Sequence, residues 1–252
     1  MPKKIAIAGK GGTGKTTFAS LLLRYLVEKK KGAILGVDAD PNANLNEALG
    51  EELEETIGDI LNKTKELHGV PQGMDKQRFI EYKLAEAIIE TDNIDLLVMG
   101  NPEGPGCYCY PNDLLKKHLE QLESNYDYVV IDNEAGLEHL SRKTTGDVDI
   151  LFVTSDSSAR GIRSVSRVKE IIDSVDINVE EMYMILVKAD MEDMDELLKE
   201  EIEKTGVELL GTIPYDQKVF EFDIKSKPLF DLPQDSVSVN STWELLDKLN
   251  SL

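Results

Sequence analysis

Short runs of apolar, largely β-branched residues recur along the chain at Ile5–Ala8, Ala33–Val37, Leu96–Met99, Tyr128–Ile131, Ile150–Val153, Met184–Val187 and Leu209–Ile213. Continuous runs of this kind are what strands covered on both faces require. Between most of them, Ala19–Glu28, Phe79–Ile89, Asp113–Glu123, Ile162–Val175 and Glu196–Lys204 carry apolar residues at three- and four-residue intervals, the spacing of a helix with one buried stripe. The β-α-β-α alternation predicts an α/β fold: a doubly wound, mostly parallel sheet with helices on both faces. No long low-complexity linker, internal repeat or composition break interrupts it, so residues 1–252 are expected to form one domain.

In such a sheet ligands sit at the C-terminal edge, so the loops that follow the strands are where chemistry is sought. The first run leads straight into Gly9-Lys10-Gly11-Gly12-Thr13-Gly14-Lys15-Thr16-Thr17, a GxxxxGK[ST] match in the strand-then-helix setting the motif needs. The glycines let several backbone N–H groups point into one cavity, and the helix that follows adds the positive end of its dipole. Residues Gly11, Gly12, Thr13, Gly14, Lys15, Thr16 and Thr17 are therefore expected to cradle phosphates. Lys15 can reach the β- and γ-phosphates, and the Thr16 hydroxyl is placed to hold Mg²⁺. Lys10 is not needed by an ordinary phosphate loop and reads otherwise as a solvated charge. The second run ends in Asp38-Ala39-Asp40-Pro41-Asn42, which puts two carboxylates beside the cradle, either for chemistry or as caps of the next segment.

GKGGTGKTT, with its early Lys10, resembles the deviant Walker A loop of the MinD/ParA/NifH class of dimeric ATPases. The resemblance implies a P-loop NTPase that hydrolyses ATP to ADP with Mg²⁺, paired face to face so that Lys10 reaches the partner's nucleotide. It implies that Asp40 positions the attacking water, with Lys10 and Lys15 stabilising charge, and that Asp38 supports Mg²⁺ through water. Asp132-Asn133-Glu134-Ala135-Gly136-Leu137-Glu138 looks like the Walker B aspartate and the switch after it, with Asp132 assisting Mg²⁺ and Gly136 giving the switch its freedom. Base contacts are implied from Lys188, where relatives commonly place asparagine, and from Pro214, Tyr215 and Asp216, which otherwise read as a plain turn.

Charge narrows the partners. The 48 acidic residues against 28 basic ones give a formal net charge of −20, which disfavours nucleic acid and anionic membrane over most of the surface. The acidic patches Glu51–Glu55 and Glu192–Glu196 read as solvated helix ends and faces. No apolar run approaches a bilayer span and no signal peptide opens the chain, so a cytoplasmic protein is expected.

The two cysteines are Cys107 and Cys109, one residue apart in a Pro- and Gly-rich stretch. So short a ring strains an internal disulfide. Two thiolates per chain leave a four-sulfur site half built, and a twofold dimer would supply the other pair; two free structural thiols are the alternative. His68, His118 and His139 each stand alone and read as surface or capping residues.

The combination of this phosphate loop, VDADPNANL, IDNEAGLE and a CxC loop most resembles the CooC-type ATPases that mature nickel carbon monoxide dehydrogenase. That resemblance implies a nucleotide- and metal-dependent homodimer with Ni²⁺ or Zn²⁺ bridged by Cys107 and Cys109 of each chain, and apo carbon monoxide dehydrogenase as client. Two rivals stand beside it. One is a NifH-like reductase driving an iron-sulfur cluster. The other is a MinD- or ParA-like positioning ATPase, against which the segment Ser241–Leu252 lacks the basic face of a membrane anchor.

Overall fold

The computed structural model describes residues 2–29, 32–64, 70–71, 73–101, 109–134, 147–174, 177–190 and 194–252, with the side chains of 76–77 and 109–115 outside that description. Its strands are β1 (Lys3–Gly9), β2 (Ile34–Asp38), β3 (Asp95–Val98), β4 (Tyr128–Asp132), β5 (Val148–Ser155), β6 (Val179–Val187) and β7 (Glu208–Ile213). They form one sheet in the order β3-β2-β4-β1-β5-β6-β7. Every ladder between neighbouring strands is parallel. A single antiparallel bridge, Ile89 to Leu96, lies outside them among the described residues.

The sheet is buried on both faces, and residue alternation assigns each side chain to one of them. Ala6, Ala8, Val37, Ile131, Leu151, Val153 and Leu186 pack on one side against α3 (Ile57–Lys63), α4 (Lys76–Glu86), α6 (Ala159–Ser174) and α7 (Glu196–Thr205), while Leu119 reaches the same cluster from α5 (Cys109–Leu122). Ile5, Ile7, Val130, Ile150, Phe152 and Ile185 face the other way, onto α1 (Lys15–Lys29), α2 (Leu45–Leu49) and α9 (Val237–Leu246). Helices thus cover both faces, as a parallel sheet demands. Phe18 of α1 meets Phe152 of β5 edge to face at 5.2 Å between ring centres. Such a pair adds about 0.5–1.5 kcal/mol beyond its buried area and fixes the start of α1 over the sheet.

Each predicted strand run falls within an observed strand to within a residue or so, with one informative shortfall. β6 begins five residues before Met184, because only its C-terminal half is buried; Val179–Tyr183 are half-buried or exposed and lack a continuous apolar run. The helices α2, α3, α8 (Gln217–Ile224) and α9 lie outside the predicted helical segments, being only five to ten residues long, too short for an apolar stripe to repeat over several turns. Helix α3 is set instead by a capping box. Thr56 Oγ1 accepts from Asp59 N at 3.0 Å, and Asp59 accepts from Thr56 N at 2.9 Å.

The C-terminal segment is packed rather than hanging free. Leu245, Leu246 and Leu249 enter the core. Trp243 stands edge to face on Tyr25 at 5.5 Å, the Arg24 guanidinium lies 5.6 Å from its ring centre, and the Tyr25 hydroxyl donates to Asp247 at 2.7 Å.

Candidate nucleotide site

The loop between β1 and α1 is shaped by two steric facts. A Cβ on Gly9 would lie 2.4 Å from the Thr154 carbonyl oxygen, so only glycine lets β1 run this close to the end of β5. Gly12 and Gly14 hold φ at +80° and +73°, the left-handed region that turns the backbone back on itself. Thr13 is buried and braces the turn, its hydroxyl 2.7 Å from the Lys10 carbonyl and 2.9 Å from the Thr154 hydroxyl. Helix α1 makes its first backbone bond from Phe18 N–H to Gly14 O at 2.9 Å. The N–H groups of Gly14 through Thr17 are the donors a helix start leaves over, the arrangement that binds anions at helix N-termini. The Lys15 ammonium is folded back toward the Lys10 carbonyl at 3.5 Å, while Lys10 itself is exposed.

The carboxylates converge because β2 and β4 are neighbours in register. Asp38 pairs with Asp132 across the ladder, and Ile7 of β1 pairs with Asp132 from the other side. Asp132 is 1% exposed; its Oδ2 accepts from the Thr16 hydroxyl at 2.7 Å, and its Oδ1 has no partner among the described residues. Burial pushes its pKa up to about 7, opposed by the Thr16 hydrogen bond and by the charge of Lys15. Lys15 is likewise buried, and loss of water lowers its pKa against the pull of Asp132, Asp40 and Glu134. A buried carboxylate oxygen without a donor, beside a hydroxyl at the mouth of an anion cradle, suits Mg²⁺.

Asp38 takes up the capping alternative that its place in the sequence left open. It is fully buried, its Oδ1 accepting from Asp40 N at 2.9 Å and its Oδ2 from Leu45 N at 2.8 Å, so it clamps both ends of the loop that leads into α2. Burial raises its pKa to about 6, with those backbone donors pulling the other way. Asp40 is half-buried, and its Oδ1 accepts from the backbone N–H and the side-chain amide of Asn42 at 2.9 and 2.8 Å. On the far side of Asp132, Asn133 is buried and donates to the Ile7 carbonyl from its backbone and, at 3.0 Å, from its side chain, pinning the start of the next loop to β1.

A pocket of about 310 Å³ opens beside the loop, lined by Gly12, Gly14, Phe18 and Val187 on one wall and by Pro214, Tyr215 and Phe220 on the other. Lys188 and Asp216 also line it. The Asp216 carboxylate is occupied structurally. It caps α8 by accepting from Lys218 N at 2.8 Å and ties in α9 by accepting from the Ser236 hydroxyl at 2.5 Å and Ser238 N at 2.9 Å. Lys188 sits at φ +55°, a conformation that asparagine tolerates far better than lysine. Lys188→Asn is therefore expected to stabilise the fold by about 0.5–1 kcal/mol. A thermal unfolding midpoint that stays put or drops would show that the lysine side chain offsets its backbone strain.

The sequence-predicted phosphate, Mg²⁺ and base residues are thus brought to one edge of the sheet. Cys107 and Gly136 lie outside the described residues, as does the side chain of Cys109, whose backbone opens α5. Among the described residues no group of three or more His, Cys, Asp or Glu could hold a metal ion. His118 corrects its sequence reading. It is buried, not a surface or capping residue, because α5 turns that position toward the core; burial lowers its pKa, against a backbone hydrogen bond at Leu84. His68 and His139 lie outside the described residues.

Comparison with known proteins agrees with this architecture. Residues 4–229 match the model of the CobQ/CobB/MinD/ParA nucleotide binding domain. An uncharacterized ATP-binding protein of Methanocaldococcus jannaschii is 42% identical over 248 residues, 97% of each chain. The carbon monoxide dehydrogenase accessory protein CooC of Rhodospirillum rubrum is 28% identical over 242 residues, 91% of this chain and 90% of that one. Among solved structures, the septum site-determining protein MinD complexed with Mg-ADP from Pyrococcus horikoshii superposes with a TM-score of 0.73 at 22% identity, covering 99% of this chain and 96% of the other. Among the described residues no helix is long and apolar enough to cross a membrane. A phosphate-loop sequence, two buried carboxylates and a largely apolar pocket on one sheet edge, with a family match over most of the length, make this chain a member of the CobQ/CobB/MinD/ParA nucleotide-binding family.

Proposed function

We propose that this chain is an ATP-hydrolysing, nucleotide-dependent dimeric metallochaperone that delivers nickel to carbon monoxide dehydrogenase. The observation that carries the reading is the connection between the two loops. Met99 N–H donates to the Asp38 carbonyl at 2.8 Å, so the strand end that leads into the Cys107-Tyr108-Cys109 stretch is bonded directly to the root of the Asp38–Asn42 loop. Similarity to CooC over most of both chains supports it.

In this reading one chain of 252 residues is one domain working in the cytoplasm. The backbone donors of Gly11 through Thr17 and the Lys15 ammonium hold the triphosphate. Thr16 and Asp132 would hold Mg²⁺, with Asp38 behind them through water; when bound, the ion neutralises charge on the β- and γ-phosphate oxygens. Asp40 orients water for attack and Lys10 reaches across to the partner's nucleotide, so positioning and charge stabilisation supply most of the acceleration. The pocket lined by Lys188, Pro214, Tyr215 and Asp216 takes adenine. Nickel, or zinc in its place, is cargo held by the paired Cys107 and Cys109 of both subunits, and its affinity follows nucleotide state only insofar as ATP and ADP set different thiolate geometries.

Size-exclusion chromatography with metal quantification, run without nucleotide and with ADP or ATP, tests the reading. The expected result is a dimer carrying about one ion per two chains, as a shared four-thiolate site requires, and loss of that ion in Cys107→Ala/Cys109→Ala. Undiminished metal in the double variant sinks the cargo site. An iron-sulfur absorption spectrum would move the protein to the reductase class, and ATP-dependent cosedimentation with anionic liposomes or DNA would move it to the positioning ATPases.

A further inference from the structure

Helix α6 is anomalous for so acidic a chain. Its core face is Gly161, Ile162, Val165, Val168 and Ile172, and opposite them it presents Arg160, Arg163 and Arg167, all exposed. At 100° per residue those arginines fall within about 60° of the helix circumference, in a row about 10 Å long. Surface basic residues elsewhere are commonly neutralised locally, as in the pairs Lys63–Glu55, Lys83–Glu86 and Lys204–Glu201. The three arginines make no ion pair or hydrogen bond among the described residues, although Glu201 of neighbouring α7 is close enough for its carboxyl to feel Arg163. Glu170, three residues beyond Arg167 and on the same side, is not paired with it.

The row also has a location. Helix α6 begins five residues after Thr154, whose hydroxyl touches Thr13 of the phosphate loop, so its basic end stands at the nucleotide edge of the sheet. With 48 acidic residues in the chain, three guanidinium groups left unpaired in register are not an average property of the surface. At physiological ionic strength the screening length is about 8 Å, so a docking group feels this row more than the remote negative charge.

We propose that the α6 arginine row docks an acidic segment of a different protein. The complementary partner is a helix with carboxylates at three- and four-residue intervals, which repeats at the same rise as the arginines and accepts their forked donors. A second copy of the chain is not the occupant proposed: a contact on the twofold axis would bring the row onto itself, and a reciprocal contact with an acidic patch of the copy is an outcome that the sedimentation arm of the test reads. Nucleic acid is less well matched, because its affinity comes from many phosphate contacts along an extended backbone, whereas the row offers three guanidinium groups over about 10 Å. The inference does not depend on the metal-cargo reading.

Fluorescence anisotropy of labelled poly-L-glutamate against the full chain tests it, with single-stranded oligo-dT of equal charge as comparator. Glutamate binding is expected to weaken about tenfold in Arg160→Ala/Arg163→Ala/Arg167→Ala, about 1.4 kcal/mol, and to fall with added salt. Removing three ion-paired lysines of equal total charge, Lys63→Ala/Lys83→Ala/Lys204→Ala, is expected to leave it unchanged. Equal weakening in both variants would mean bulk charge and no site, and overturns the proposal. So do tighter oligo-dT binding that depends on the same arginines, which would make the row a nucleic-acid surface, and a wild-type sedimentation profile that dissociates into monomers only when the arginines are removed.

Discussion

Lys15→Ala is expected to lower ATP hydrolysis by at least about a thousandfold, the scale on which a cation aimed at the transferring phosphoryl group acts. The reason lies in where the ammonium is kept. Lys15 is 7% exposed, and desolvation weakens its hold on the proton against the opposing pull of Asp132, Asp40 and Glu134. Such a group is held ready for an anion, and its loop carbonyl contact at 3.5 Å is long enough to be given up when phosphate arrives. Single-turnover hydrolysis with labelled ATP reads the effect directly, and near-ultraviolet circular dichroism checks that the variant is folded. Activity within tenfold of the parent would remove Lys15 from the mechanism.

Asp132→Asn is expected to push stability and binding in opposite directions. The native pKa of Asp132 is raised from 3.8 to about 7 and that of Asp38 to about 6, so the folded chain holds these protons more tightly than the unfolded chain does. Folding stability attributable to them is then greatest below pH ~4 and declines as pH rises through the window up to about 7. An asparagine at position 132 cannot ionise, and the nucleotide-free variant should exceed the parent at pH 7 by an amount on the order of 2–4 kcal/mol, several degrees in Tm. At pH 4 the two should nearly coincide. Added Mg²⁺ and nucleotide should raise the Tm of the parent and not of the variant if, as proposed, the ion is held by this carboxylate, whose Oδ1 has no donor among the described residues. Superimposable melting curves at both pH values, or an equal ligand-induced shift, would show that Asp132 is neither strained by burial nor part of the magnesium site.

The readable parts of this protein are those in which chemistry is local. Nine consecutive residues from Gly9 to Thr17 need only a strand before them and a helix after them to make a phosphate loop, and the apolar runs on either side supply both. Buried parallel strands announce themselves for the same reason: covered on two faces, they have no polar positions to break the run. The helices that went unseen are short or placed by contacts far away in sequence. Helix α9 is one of these, since its Trp243 is satisfied by Arg24 and Tyr25 of α1, more than two hundred positions earlier. The pocket beside the phosphate loop was legible as loops at strand ends and not as chemistry, because Asp216 spends its carboxylate on capping α8 and on Ser236 and Ser238.

By itself, the order of residues determined the doubly wound class, the phosphate cradle and the set of acidic side chains that could serve it, since periodicity and nearest-neighbour spacing carry that information. Only the assembled sheet decided which acid does what. Parallel register sets Asp38 beside Asp132, and their donors then separate them: one has both oxygens claimed by backbone N–H groups, and the other keeps an oxygen without a donor among the described residues. That difference depends on desolvation and on donors brought from neighbouring strands and loops, which sequence spacing does not encode.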